Sequence, residues 1–180
     1  MDLHAPLFSP SLIPSSIDLS IPEGFACRPL QRSDFKHGHL EVLRDLAHVG
    51  DITEQQWNER FDDMSKSNGT YFIVVIVDEK SVTEQKIIGT GTLMIEKKFL
   101  CSLGKQGHIE DVAIAKDYQG RKLGTLMIEI LDKISAQVGS YKTILDCRPE
   151  KEGFYLKCGY ERRGLEMHHY HGSVAQNHSV

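Results

Sequence analysis

The segment YFIVVIV, Tyr71 to Val77, is a nearly unbroken run of β-branched and aromatic residues. A strand with one face in water alternates apolar and polar residues; a run without alternation predicts a strand buried on both faces. That requires cover above and below the sheet, as in a layered α/β domain. The run is far too short to cross a bilayer, which takes about 20 apolar residues as a helix. Ile87 to Ile95 answers it across a polar loop and predicts a hairpin.

The other elements follow from periodicity and punctuation. Phe25 to Leu30 predicts a short strand, and Ser33 followed by Leu40, Leu43, Leu46 and Ala47 predicts a capped amphipathic helix ending at Gly50. Thr53 with Gln56 is a capping-box pattern, and Trp57, Phe61 and Met64 follow at helical spacing. Ile109 to Ile114 is a third strand. After Tyr118-Gln119-Gly120 comes the strongest helical pattern in the chain, with Leu123, Leu126, Met127, Ile130, Leu131, Ile134 and Val138 on one face. Thr143 to Cys147 reads as a strand, Pro149 opens a short helix that Gly159 closes, and a last strand is expected around Tyr160 to Met167. The order is that of a mixed α/β domain.

At 180 residues, with 40% apolar and 26% charged side chains, the chain suits one domain with a sizeable core. Four of its six prolines fall in the first 24 residues. Residues 1–23 are therefore read as a loose arm, 24–171 as a single domain and 172–180 as a flexible tail. Cys27, Cys101, Cys147 and Cys158 form no CxxC pair, so reduced thiols are expected. The first basic residue is Arg28; with no charged start to a leader, a cytoplasmic protein is the expectation.

A net charge of −4 argues against an unaided nucleic-acid binder. Residues 96–122 nevertheless carry +2 while the rest of the chain carries −6, so a small anionic ligand could be met there; a solvated surface explains the asymmetry equally well. At the end of that window Asp117-Tyr118-Gln119-Gly120-Arg121-Lys122-Leu123-Gly124 lies between a strand and the start of the long helix. Free N–H groups and the helix dipole at such a place suit a phosphate or pyrophosphate. Taken alone, the segment reads more readily as a turn followed by a helix-packing glycine, and it is neither a Walker motif nor GxGxxG.

Four segments together say more than the loop. GHIEDVAIAKDYQGRKLG (107–124), preceded by MIEKKFL (94–100) and followed by YKTILDC (141–147) and EGFYLKCGY (152–160), resemble in order and spacing the GNAT acetyltransferases, and among them those that act on glucosamine 6-phosphate. The resemblance covers roughly Phe25 to Met167. It implies the acyl-CoA N-acyltransferase fold, a mixed, mostly antiparallel central sheet flanked by helices. It also implies acetyl-CoA as co-substrate, the sugar's 2-amino group as acceptor, and a homodimer whose C-terminal strands cross.

On this pattern Gln119, Gly120, Arg121, Lys122, Leu123, Gly124 and Thr125 would hold the cofactor's pyrophosphate. The backbone of Val112, Ala113 and Ile114 would hold its pantetheine arm and the acetyl carbonyl, with Tyr155 and Lys157 also at the cofactor. Lys97, Lys98, Phe99, Leu100, Ile109, Glu110, Asp111 and Asp146 match the sugar-phosphate site. Asp146, by its carboxylate or the adjoining backbone carbonyl, would orient the amine and accept a proton, Tyr155 would protonate or steady the leaving thiolate, and Glu110 would act as base through water or bind the sugar. Without the resemblance, Asp146 could equally cap the Pro149 helix, and Tyr155 would be read as a packing residue.

Lys122 stands at the inner glycine of the superfamily's loop pattern, Lys151 replaces an expected Asn, Tyr170 stands where some relatives carry Arg, and Ala47 replaces a hydroxyl-bearing residue. His168, His169 and His171 are close enough to chelate, but no acidic or thiol partner is spaced with them and no metal is expected. Rival readings are a GNAT enzyme for a polyamine or protein amine, and a non-catalytic CoA-binding protein.

Overall fold

The computed structural model describes residues 3–17, 21–80, 85–169 and 171. The chain divides into two compact units, Met1–Leu145 and Asp146–Val180. The first holds a five-stranded sheet in the order β1 (Phe25–Pro29), β2 (Tyr71–Asp78), β3 (Lys86–Lys97), β4 (Lys105–Ile114) and β5 (Ser140–Leu145). The first three pairings are antiparallel and β4 with β5 is parallel, as the expected mixed sheet requires. In β2 six consecutive residues are buried, which is what the missing alternation predicted.

Both faces of β2 are covered. Helix α4 (Leu123–Gln137) lies on one face, with Leu123, Met127, Ile130, Leu131 and Ile134 buried. It lies so close that a Cβ on Gly91 would come within 2.9 Å of Leu131 and Met127, and one on Gly107 within 2.3 Å of the Ser135 hydroxyl. On the other face, Ile73, Val75 and Val77 join Leu40 and Val42 of α1 (His39–Arg44) and Trp57 and Phe61 of α2 (Glu54–Ser65). Each fully buried side chain of this size contributes about 1.5 to 3 kcal/mol. The Thr53–Gln56 capping box is formed at the start of α2.

Three expectations are corrected. The single helix from Ser33 to Gly50 is a 3₁₀ turn (Arg32–Phe35) followed by the short α1, because Gly38 takes a left-handed conformation at φ 92° between them. The turn is capped by Gln31 and Asp34 rather than by Ser33, whose buried hydroxyl has no hydrogen-bond partner. Asp34 is fully buried and accepts two 2.7 Å bonds from Arg28 and one from the Gln31 N–H. The arm is also not loose over residues 3–17. Leu7 donates to the Leu30 carbonyl, Phe8 meets Phe72 edge-on, and Leu7 and Ile17 are buried, so a few apolar residues among the prolines dock on the core. Residues 160–169 form no strand, and Leu165 and Met167 are exposed. The expected tail, 172–180, and Tyr170 lie outside the described residues.

His39 is buried beside Trp57, its Nε2 3.2 Å from the Thr90 hydroxyl and its Nδ1 without a hydrogen-bond partner. Burial lowers its pKa from 6.5 to about 4, only partly offset by Asp34 and Glu41. Below pH 6.5 the unfolded chain gains a proton that the folded chain refuses, so this stability is full above 6.5 and is lost as pH falls toward 4. Urea unfolding at pH 7 and pH 4.5 should show the native chain losing about 2 kcal/mol more over that interval than His39→Gln. Equal losses would contradict the assignment.

Candidate active site

Three local features of the first unit converge on the C-terminal half of β4. The first is a bulge. Thr90 pairs with Ala113 and Thr92 with Glu110, so Gly91 faces two residues, Asp111 and Val112. Asp111 is the residue that turns, with φ 52°. Aspartate tolerates this left-handed region better than most side chains, yet strain of about 1 kcal/mol or more is stored there. Partial desolvation pushes the Asp111 carboxyl above the usual carboxylate range. The second is a one-sided strand. Parallel pairing with β5 stops at Ile109 with Leu145, so 110–114 pair with β3 alone. Backbone groups on their other edge are left for something outside the sheet.

The third feature is the loop into α4. Gly120 (φ 78°) and Lys122 (φ 63°) are both left-handed, and the α4 N-terminus has no side-chain cap and no acid in its first turn. Its orphan N–H groups and dipole suit an anion. Tyr118 anchors this loop: its hydroxyl donates to Asp78 at 2.9 Å, and Lys86 and Arg121 lie over its ring at 5.8 and 5.2 Å. The Asp78 carboxylate raises the phenol's pKa, so Tyr118 stays a donor. Gln119 donates its side-chain amide to the Ile114 carbonyl, tying loop to strand. Arg121 and Thr125 are exposed, whereas Leu123 is buried and could offer a ligand only its backbone.

At the opposite end of β4, Lys97, Lys98, Phe99 and Leu100 form the turn from β3. Its one-turn segment α3 (Leu100–Leu103) has left-handed backbone at Cys101 and Ser102, and Phe99 is almost fully exposed. Lys98 pairs with Glu96 at 2.5 Å, which raises the ammonium's pKa and lowers the carboxylate's. Lys97 and Glu110 are exposed; Ile109 is a core residue, so only its backbone is available to a ligand. Sequence reading passed over Tyr118 as an anchor, and over Glu96 and Gln106 at this end of the sheet; His108, beside Glu110, reads there as a structural residue.

The second unit begins at Asp146. A 3₁₀ turn (Pro149–Lys151) leads into α5 (Glu152–Lys157), whose end is marked by Gly159 at φ 92°, as its sequence predicted. Tyr155 lies on α5 against Phe154 and Tyr160, at ring distances of 5.0 and 6.2 Å. Desolvation first, then Cys147 and Cys158, raise its pKa and keep the phenol protonated. Desolvation and the surrounding acids push the Cys147 thiol up as well, away from nucleophilic character. Lys157 is exposed, and His168 meets Glu166 at 2.8 Å, an acidic neighbour that the sequence reading did not credit.

A bulged, half-paired strand followed by an uncapped helix start offers a ligand backbone hydrogen-bonding groups and a place for an anion. Residues 32–160 match the acetyltransferase (GNAT) family, and the chain belongs to that family. Acetyl-CoA is the family's co-substrate, and the donor-rich loop with Arg121 and Lys122 fits its phosphates. Within the family, the chain is 43% identical over 147 residues to glucosamine 6-phosphate N-acetyltransferase 1 of Dictyostelium discoideum, covering 82% of this chain and 91% of the relative. It is 38% identical over 149 residues to the glucosamine 6-phosphate N-acetyltransferase of Candida albicans, covering 83% and 97%. The crystal structure of the Arabidopsis thaliana glucosamine-6-phosphate N-acetyltransferase matches with a TM-score of 0.78 at 39% identity, over 82% of this chain and 99% of that one.

The left-handed backbone at Lys122 explains why the superfamily pattern carries glycine there. Lys122→Gly should relieve strain and raise stability by about 0.5 to 1 kcal/mol, read as a higher Tm, while weakening CoA binding through the lost cation. A lower Tm would show that the lysine's conformation is not strained.

Proposed function

We propose that this chain is an N-acetyltransferase that moves acetyl from acetyl-CoA to the 2-amino group of D-glucosamine 6-phosphate. The products would be N-acetylglucosamine 6-phosphate, a precursor of UDP-N-acetylglucosamine, and CoA. The observation that carries this reading is the likeness to glucosamine 6-phosphate N-acetyltransferases over more than four fifths of the chain. Residues 24–171 act as one catalytic domain in this proposal, consistent with a family match that runs from 32 to 160.

The reaction is direct. The neutral amine attacks the thioester carbonyl, the C–N bond forms, negative charge gathers on the carbonyl oxygen, and the C–S bond then breaks. Backbone N–H groups at Val112–Ile114 are assigned to that oxygen, where preorganised donors are worth most. Gln119 to Thr125 are assigned to the pyrophosphate, with Lys157 as a further cofactor contact. Asp146 orients the amine and accepts its proton, and Glu110 and Asp111 bind the sugar, Glu110 also serving as a base through water. Tyr155, kept protonated by its burial, donates to the leaving thiolate, steadying or protonating it. Lys97 and Lys98 face the sugar's phosphate. No acyl-enzyme is needed, in keeping with a raised Cys147 thiol. A homodimer fits the exposed apolar Leu165 and Met167, and a cytoplasmic location fits a metabolic sugar phosphate.

Thiol release from acetyl-CoA, measured separately with glucosamine 6-phosphate, glucosamine, spermidine and a peptide amine, tests the assignment. Rapid turnover is expected with the sugar phosphate alone, and Lys97→Ala/Lys98→Ala should raise KM for it by about tenfold or more while leaving KM for acetyl-CoA unchanged. Preference for spermidine or the peptide, or CoA binding without turnover, would overturn it.

A further inference from the structure

One titratable side chain beside the proposed site, His108, has no part in the mechanism above. Gln106, His108 and Glu110 project from the same face of β4, because residues two apart share a face; Gly107 and Ile109 face α4 and the core. His108 pairs in register with Met94 on β3 and Ile144 on β5, so its directly opposed neighbours are not ionisable. Its Nδ1 instead lies 3.6 Å from a Glu96 oxygen and 3.6 Å from a Glu110 oxygen. Between two carboxylates that nitrogen interacts favourably as an N–H group.

The two carboxylates differ in how firmly they are held. Glu96 is fixed by Lys98 at 2.5 Å and by the Gln106 amide at 3.4 Å, with the Tyr141 hydroxyl 3.5 Å from the Gln106 carbonyl oxygen behind it. Glu110 is half-exposed and lies against His108 alone among the described residues' ion pairs. The arrangement runs from an anchored carboxylate, through an imidazole, to a carboxylate whose long side chain would otherwise sample several rotamers.

We propose that His108 is a positioning residue for acetyl transfer: it holds one oxygen of Glu110 toward the anchored Glu96 and so presents the other to the amino sugar. The inference rests on the function proposed above. Glu96, Lys98 and Gln106 thereby become a support for Glu110 as well as neighbours of the phosphate-binding turn.

The test is a double-mutant cycle on kcat/KM for glucosamine 6-phosphate. His108→Leu should lower kcat/KM by about tenfold with KM for acetyl-CoA unchanged, and should cost no more than about twofold when Glu110 is already Gln. His108→Asn, whose amide nitrogen can occupy the place of Nδ1, should recover most of the activity. Should His108→Leu not fold, Glu96→Gln removes the anchor, and its loss too should vanish in the Glu110→Gln background. Losses that multiply, or an Asn variant no better than Leu, would overturn the inference. A wild-type chain that does not acetylate the sugar would instead overturn the function on which it rests.

Discussion

One extra residue in β4 sets the geometry on which the rest of the candidate site depends. Up to Ile109 the strand is an ordinary sheet interior, paired on both sides and packed against α4 through Gly107. At Asp111 the register with β3 slips by one residue, and β5 has already ended. A strand that would have been satisfied by its neighbours therefore leaves backbone donors and acceptors on one edge, beside a helix that begins without a cap. Positive φ at Asp111 and at Lys122 is the cost of that arrangement, and strain held at such positions is characteristic of working sites.

Charge is arranged around this backbone frame rather than supplying it. Tyr118 joins the loop to β2 through Asp78 and carries Lys86 and Arg121 against its ring, which holds two cations near the loop. At the far end of the strand, Lys98 is already neutralised by Glu96, leaving the exposed Lys97 as the more available cation of the pair. The net negative charge of the chain does not oppose an anionic ligand, since the fields that matter act within about a Debye length.

Elements set by local patterns were legible in the sequence. The unalternating β2, the apolar stripe of α4, the Thr53–Gln56 box and the Pro149-to-Gly159 bounds of the short helix all follow from neighbours within a few positions. Features set by distant partners were not. Leu7, Phe8 and Ile17 show no period, and their burial comes from docking on the core. Asp34 and His39 are polar yet buried, against Arg28 and Thr90, which lie six and 51 positions away. The bulge needs the β3–β4 register to be seen, as does the meeting of Glu96, His108 and Glu110. Residues 160–169 carry enough apolar side chains to suggest a strand, but a strand also needs an edge to pair with, and among the described residues they find none.

In the proposed enzyme, backbone groups of β4 beyond the bulge, together with the α4 start, bind the acyl carrier. Amide hydrogen exchange with and without CoA addresses it directly. The account predicts that CoA selectively slows exchange at residues 112–114 and 119–125. Measurable CoA binding that leaves these amides unprotected, with protection elsewhere on the chain, would contradict it.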